Sequence, residues 1–218
     1  MRATAFALFA FGVLISAAAL SYPGGTWESR HTVGYSFWNN FWCDLLGTVA
    51  LNGQDNVRGS LLSRLAFGCF ALALYRFWPH AAELAGGLPS ARRAARLGQV
   101  GGIGLLTVAL VPSTTSQLVH GIAVVASAGC SVVAASMLLR GLARAGERVG
   151  AALGLLVTAS AVLCLAQYVY QGLFAHEAAT WLAGMQKVTT VFLLAFMVRL
   201  MFRPARVPAP VHVPLPST

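Results

Sequence analysis

Acidic residues are the scarcest chemical class in this chain. Six Asp and Glu stand against fifteen Lys and Arg in 218 residues, and charged residues of both signs make only 10% of the whole. A water-soluble domain devotes about a quarter of its residues to charge, so this composition cannot cover a soluble surface. Metal-finger and redox signatures are missing too: Cys43, Cys69, Cys130 and Cys164 form no C-x-x-C pair. They are expected to be small packing residues, and with only Cys43 outside the apolar blocks no disulfide is expected. The chain has no H-x-x-x-H pair and no G-x-S-x-G turn, which removes two familiar hydrolase signatures.

What remains is apolar. Hydrophobic residues make 57% of the chain and mean hydropathy is +0.71. They fall into blocks long enough to cross a hydrocarbon core of roughly 30 Å, which needs about 20 helical residues. The blocks predict spans at 3–22, 61–78, 97–114, 117–144, 150–173 and 181–202. The fold class is therefore all-α: a polytopic membrane protein with a six-helix transmembrane domain over residues 1–202. A transmembrane β-barrel would alternate apolar and polar residues, and these blocks do not. Met1-Arg2, the apolar run and Ala17-Ala18-Ala19 also fit a secretory signal peptide. The run from Ala3 to Leu20 is longer than a usual signal core, so an uncleaved first span is expected.

Orientation follows from the basic residues, which collect on the cytoplasmic side of short loops. With alternating spans, eleven of the fifteen share one side: Arg2, Arg76, Arg92, Arg93, Arg96, Arg140, Arg144, Arg148, Arg199, Arg203 and Arg206. Arg30, Arg58, Arg64 and Lys187 are left for the other. Both termini are thus expected in the cytoplasm, with the chain in the cell membrane. The net charge of +9 is accounted for by orientation, and no nucleic-acid partner is implied. The expected partners are membrane lipids, whose anionic headgroups the basic loops attract. Residues 203–218 carry five prolines and are expected to form a disordered tail.

The first loop, 22–60, is the longest and lies on the external side. Pro23-Gly24-Gly25 stops the first helix. In the stretch from Tyr35 to Leu46, Phe37, Phe41 and Leu45 recur every four residues beside Trp38 and Trp42. Ser36, Asn40, Cys43 and Asp44 gather on another face. This spacing predicts a short amphipathic helix at the membrane interface. Gly98/Gly102 and Gly150/Gly154 are small pairs four apart, which let helices approach closely in lipid.

One order of features carries a family resemblance: a first span; a loop with Gly34-Tyr35-Ser36, Asn40 and Asp44-Leu45; a second span; a third ending Pro112-Ser113; and a fourth opening near His120. It resembles a bacterial six-helix membrane family of unknown function, related more loosely to the Frag/DRAM/Sfk group. The likeness covers about the first 130 residues. It implies the six-helix fold and a bacterial inner membrane. Some members of the wider group resemble factors of lipid or GPI-anchor remodelling, which implies lipid handling by analogy. Where such families tend to show Ser before the loop aspartate, this chain has Cys43, so no hydroxyl chemistry carries over.

Three functional arrangements compete. The first is an external polar pocket for a lipid, built from Asn40, Asp44, His120, Gln167, Gln171, Gln186 and Lys187. There Lys187 and His120 would meet phosphate while the aromatic helix covers acyl chains. Lys187 lies inside its span and must snorkel outward or find a partner, for which Asp44 and Glu177 are the available carboxylates. His120, Ser127 and Ser131 share one helical face, which predicts that this face looks into the bundle. The second is a zinc hydrolase using His31, Asp44, His120 and His176. In the third, Cys43 or a serine of Ser113-Thr114-Thr115-Ser116 is a nucleophile activated by a histidine, although that run also reads as a turn capping the fourth helix. A purely structural subunit is the alternative to all three. No cofactor is expected; His120 is the only histidine inside a span, so paired haem ligands are missing. The middles of the spans carry no acidic residue, which counts against ion translocation.

Overall fold

Each apolar block folds as a helix in the computed structural model, which describes residues 1–173 and 180–203. The helices are α1 (Arg2–Ser21), α2 (Val57–Leu84), α3 (Pro89–Leu110), α4 (Gln117–Arg144), α5 (Arg148–Leu173) and α6 (Thr180–Met201). Five of them, α1, α2, α4, α5 and α6, are long and apolar enough to cross a membrane, with mean hydropathy from 1.4 to 2.3. These make the chain a multi-pass membrane protein. Residues 204–218, where the disordered tail was expected, lie outside the described residues, as do His176 and Glu177.

The third helix departs from the expected span at both ends. It begins at Pro89, with proline at its first position, and ends at Leu110 rather than residue 114. Arg92, Arg93 and Arg96 occupy its first two turns, and its charge-free part, 97–110, is only about 21 Å long. Val111 and Pro112 lead into a tight turn in which Thr115 N–H donates to the Pro112 carbonyl at 2.9 Å. Ser116 then caps α4 by accepting from Val119 N–H, as the Ser/Thr run predicted.

The second helix is longer than its apolar block. It runs through Pro79 to Leu84. Proline has no N–H for the carbonyl four residues back. That carbonyl, on Tyr75, instead accepts from Gln99 Nε2 of α3 at 3.4 Å.

The helices pack in sequence as antiparallel neighbours, with α2 at the centre touching α1, α3, α4 and α6. Register is visible in side-chain pairs. Phe11 stacks on Phe70 with centroids 4.5 Å apart, joining α1 to α2, and Phe77 meets Phe196 edge-on at 5.5 Å, joining α2 to α6. Small residues allow the close approaches. A β-carbon at Gly98 would collide with the buried Trp78 ring, and one at Gly102 would lie 3.2 Å from the Ala71 carbonyl. Gly150 faces Leu200, and Gly154 faces Leu139 and Phe196. Both glycine pairs are therefore packing positions. Large apolar side chains such as Phe6 and Phe9 point outward while alanines fill the interior, the arrangement expected when the solvent is lipid.

The two ends of the bundle differ. One carries the α2–α3 and α4–α5 turns and most of the arginines. The other is closed by a cap made of residues 22–56.

Candidate functional site at the capped end

The cap is held by backbone turns and by polar side chains turned inward. Gly25 N–H donates to the Thr32 carbonyl at 2.7 Å and Gly34 N–H to the Pro23 carbonyl at 3.1 Å. Gly24 and Gly25 sit at φ +141° and +87°. A β-carbon on Gly25 would run into the Leu51–Asn52 backbone, so only glycine fits this crossing. Tyr22 Oη accepts from Leu51 N–H at 3.0 Å, and burial pushes the Tyr22 phenol up to about 12.

The amphipathic helix expected over 35–46 does not form. Residues 37–39 make a turn, and only Trp42–Leu46 is helical, as a 3₁₀ segment. The cause is local competition for backbone groups. Asn40 Oδ1 accepts from Ser36 N–H at 2.9 Å, and Asp44 Oδ2 accepts from Phe41 N–H at 2.8 Å. Asn40 Nδ2 also donates to the Gly25 carbonyl at 2.8 Å and to Asp44 Oδ2 at 3.1 Å. The carbonyls at the end of the 3₁₀ segment are met by the first turns of α2. Asn56 Nδ2 donates to Leu45 and Gly47, Ser60 Oγ to Leu46 and Ser63 Oγ to Leu45, at 2.7–3.2 Å.

This turn gathers aromatic rings around one cation. Lys187 of α6 is 1% exposed. Its Nζ donates to the Asn40 carbonyl and lies 5.1, 5.5 and 5.9 Å from the ring centres of Trp42, Tyr35 and Phe37. Such contacts contribute about 2 kcal/mol or more when desolvated. Beside it, Gln186 Oε1 accepts from Trp42 N–H at 2.9 Å. The last helix is thereby clamped to the first loop.

Asp44 is not in direct ion-pair contact with Lys187. Its oxygens are taken by Phe41 N–H, by Asn40 and by Trp27 Nε1 at 3.1 Å. Asn40 stands between the two charges, bonding each. Burial raises the Asp44 carboxyl above its ordinary value, opposed by the hydrogen bonds of Asn40, Phe41 and Trp27 and by the charge of Lys187. Burial likewise pushes the Cys43 thiol up to about 12, helped by Asp44 and opposed by Lys187. A thiol held this far from ionisation is a poor nucleophile.

The expected cluster is therefore brought together in part. Asn40, Asp44, Gln186 and Lys187 meet. His120 is buried, but its Nδ1 lies 2.8 Å from the Val111 carbonyl, so it closes the α3–α4 turn. Ser127 donates to the Gly101 carbonyl at 2.7 Å, which fits the expected inward face. Gln167 is half-buried on α5, and Gln171 Nε2 is buried with no hydrogen-bond partner among the described residues. His31 is exposed on the cap. Among the described residues no three His, Cys, Asp or Glu side chains converge as a metal site. All four cysteines are free.

Two features escaped the sequence reading. Glu147, 8% exposed, bridges Arg199 at 3.2 Å and Arg203 at 2.6 Å at the arginine-rich end. An acid at a turn between arginine-bearing helices was its signal. The second feature is a shallow groove of about 560 Å³ between cap and α6, lined by Glu28, Trp38, Asn39, Trp181, Met185 and Val188. Its floor is Gly184, where a β-carbon would lie 3.3 Å from the Trp38 ring. Nothing in residue spacing brings Trp38 to Trp181, since the clamp at Lys187 does that.

No family model, curated protein or solved structure matches this chain.

Proposed function

We propose that all six helices cross the cell membrane, with the arginine-rich end in the cytoplasm, and that the capped end holds a lipid in the groove between Trp38 and Trp181. Six crossings are supported by the place of α3. Gly98 meets Trp78 and Gly102 meets Ala71 and Tyr75 on α2, while Gly101 and Gly104 meet Ser127 on α4. A helix so paired along two long apolar neighbours shares their depth, and Arg92, Arg93 and Arg96 reach back to the headgroups. Reporters fused after Arg96, Arg148 and Thr218 then read as cytoplasmic; an external reading at two of the three sinks this topology.

The groove, rather than the polar cluster, is the place for a lipid. Lys187 and His120 already have protein partners, and a phosphate would have to displace them. The observation that carries the reading is the half-exposed Trp38–Trp181 pair above an apolar strip of α6, at the end where tryptophans favour the headgroup boundary. Met185→Trp fills the groove from α6 without removing a cage residue. Native mass spectrometry of gently extracted protein is expected to show bound phospholipid falling about tenfold in this variant at unchanged thermal stability. Equal lipid retention would dismiss the groove.

A further inference from the structure

Resting on that lipid-holding reading, we infer that the groove selects a phospholipid with an ammonium in its headgroup, such as an ethanolamine lipid, over one with a neutral or purely anionic headgroup. Three observations point the same way. Glu28, one of only six acids in the chain, is an exposed residue lining the groove and is in no ion pair among the described residues. Trp38 and Trp181, 59% and 45% exposed, bring indole rings to the same groove. Aromatic faces hold ammonium cations, as the rings of Tyr35, Phe37 and Trp42 do around Lys187 in the cap, and in the groove the Glu28 carboxylate adds the attraction of opposite charge.

The groove's length fits the rest of such a molecule. From Trp181 to Val188 along α6 is about 10 Å, enough to pass from headgroup level into hydrocarbon. Met185 and Val188 line that lower part, where an acyl chain would lie. Asn39 also lines the groove; its Nδ2 donates to Ser36 Oγ at 3.0 Å and has a second hydrogen for a phosphate oxygen. An anionic headgroup without an ammonium would instead place its charge against Glu28.

The test uses the full chain in nanodiscs containing equal phosphatidylethanolamine and phosphatidylglycerol, with retained lipid read by native mass spectrometry. Wild-type protein is expected to retain the ethanolamine lipid about fivefold over the glycerol lipid. Glu28→Gln, at an exposed site that the fold does not use, is expected to bring the ratio close to one by lowering retention of the ethanolamine lipid. Trp181→Leu is expected to lower retention of the ethanolamine lipid more than that of the glycerol lipid. Equal retention of both lipids by the wild type overturns the headgroup inference, as does a ratio that Glu28→Gln leaves unchanged. If instead neither lipid is retained, or filling the groove with Met185→Trp changes nothing, the lipid-holding reading itself has failed.

Discussion

The two ends of the bundle solve the same problem, a charge within or beside an apolar body, with opposite chemistry. At the arginine-rich end the buried group is an acid, Glu147, and it is met by two guanidinium groups whose side chains are 33% and 44% exposed. At the capped end the buried group is a cation, Lys187, and among the described residues no carboxylate touches it. A backbone carbonyl and three rings do so instead. The first arrangement is an ion pair with water close by, which salt can screen. The second is dry and depends on the shape of a loop. Its consequence is positional: the arginine lock joins α6 to the α4–α5 turn, whereas the lysine lock positions a whole cap and with it the groove.

The difference between the ends can be broken by substitution. Lys187→Ala should have the largest effect, about 3 kcal/mol of lost stability, because it leaves a cavity among the rings and leaves the Asn40 carbonyl with only the long 3.4 Å bond from Tyr35 Oη. Thermal unfolding of the detergent-extracted chain should show this loss at low and high salt alike, and an equal recovery by salt would make the lysine lock an ordinary ion pair. Glu147→Gln should be smaller, about 1 kcal/mol after allowance for the exposure of both arginines, and it should shrink further as salt is raised. A salt-independent loss at Glu147 would erase the contrast.

The smallest effect is a pH dependence at the cap. The Asp44 carboxyl is raised by burial, so the folded cap holds its proton more tightly than the unfolded chain does. The corresponding stability is fully present below the ordinary carboxylate value of 3.8 and is lost as pH rises through the raised one. The difference in unfolding temperature between wild type and Asp44→Asn is therefore expected to fall as pH increases from about 4. A difference that grows with pH would place a stronger positive influence on Asp44 than Lys187 and the hydrogen bonds supply.

The helices were legible from the chain because apolar runs and their ends are local features. The fourth span, 117–144, coincides with α4, as Ser116 and the preceding proline announced. Helix α2 overran its apolar block because the carbonyl freed by Pro79 found Gln99 on another helix, which no local pattern encodes. The spacing of Phe37, Phe41 and Leu45 is helical, yet the side chains of Asn40 and Asp44 took backbone donors that a helix would have used. Lys187 and Asn40 were expected in one cluster and they meet through a carbonyl, where a carboxylate was the expected partner. A carbonyl became available because the loop turned there instead of continuing as a helix. The groove was invisible for the same reason, since it exists only after loop and last helix have met.

The lysine clamp also bears on biosynthesis. Lys187 is 147 residues beyond the carbonyl it holds, and Gln186 is 144 beyond Trp42. At roughly 5–20 residues per second, a ribosome needs on the order of ten seconds or more to bridge that interval. During that time the loop has its rings uncaged and its Asn40 carbonyl without the lysine's hydrogen bond. Arrival of α6 is what closes it, so a prematurely terminated chain displays an open aromatic loop.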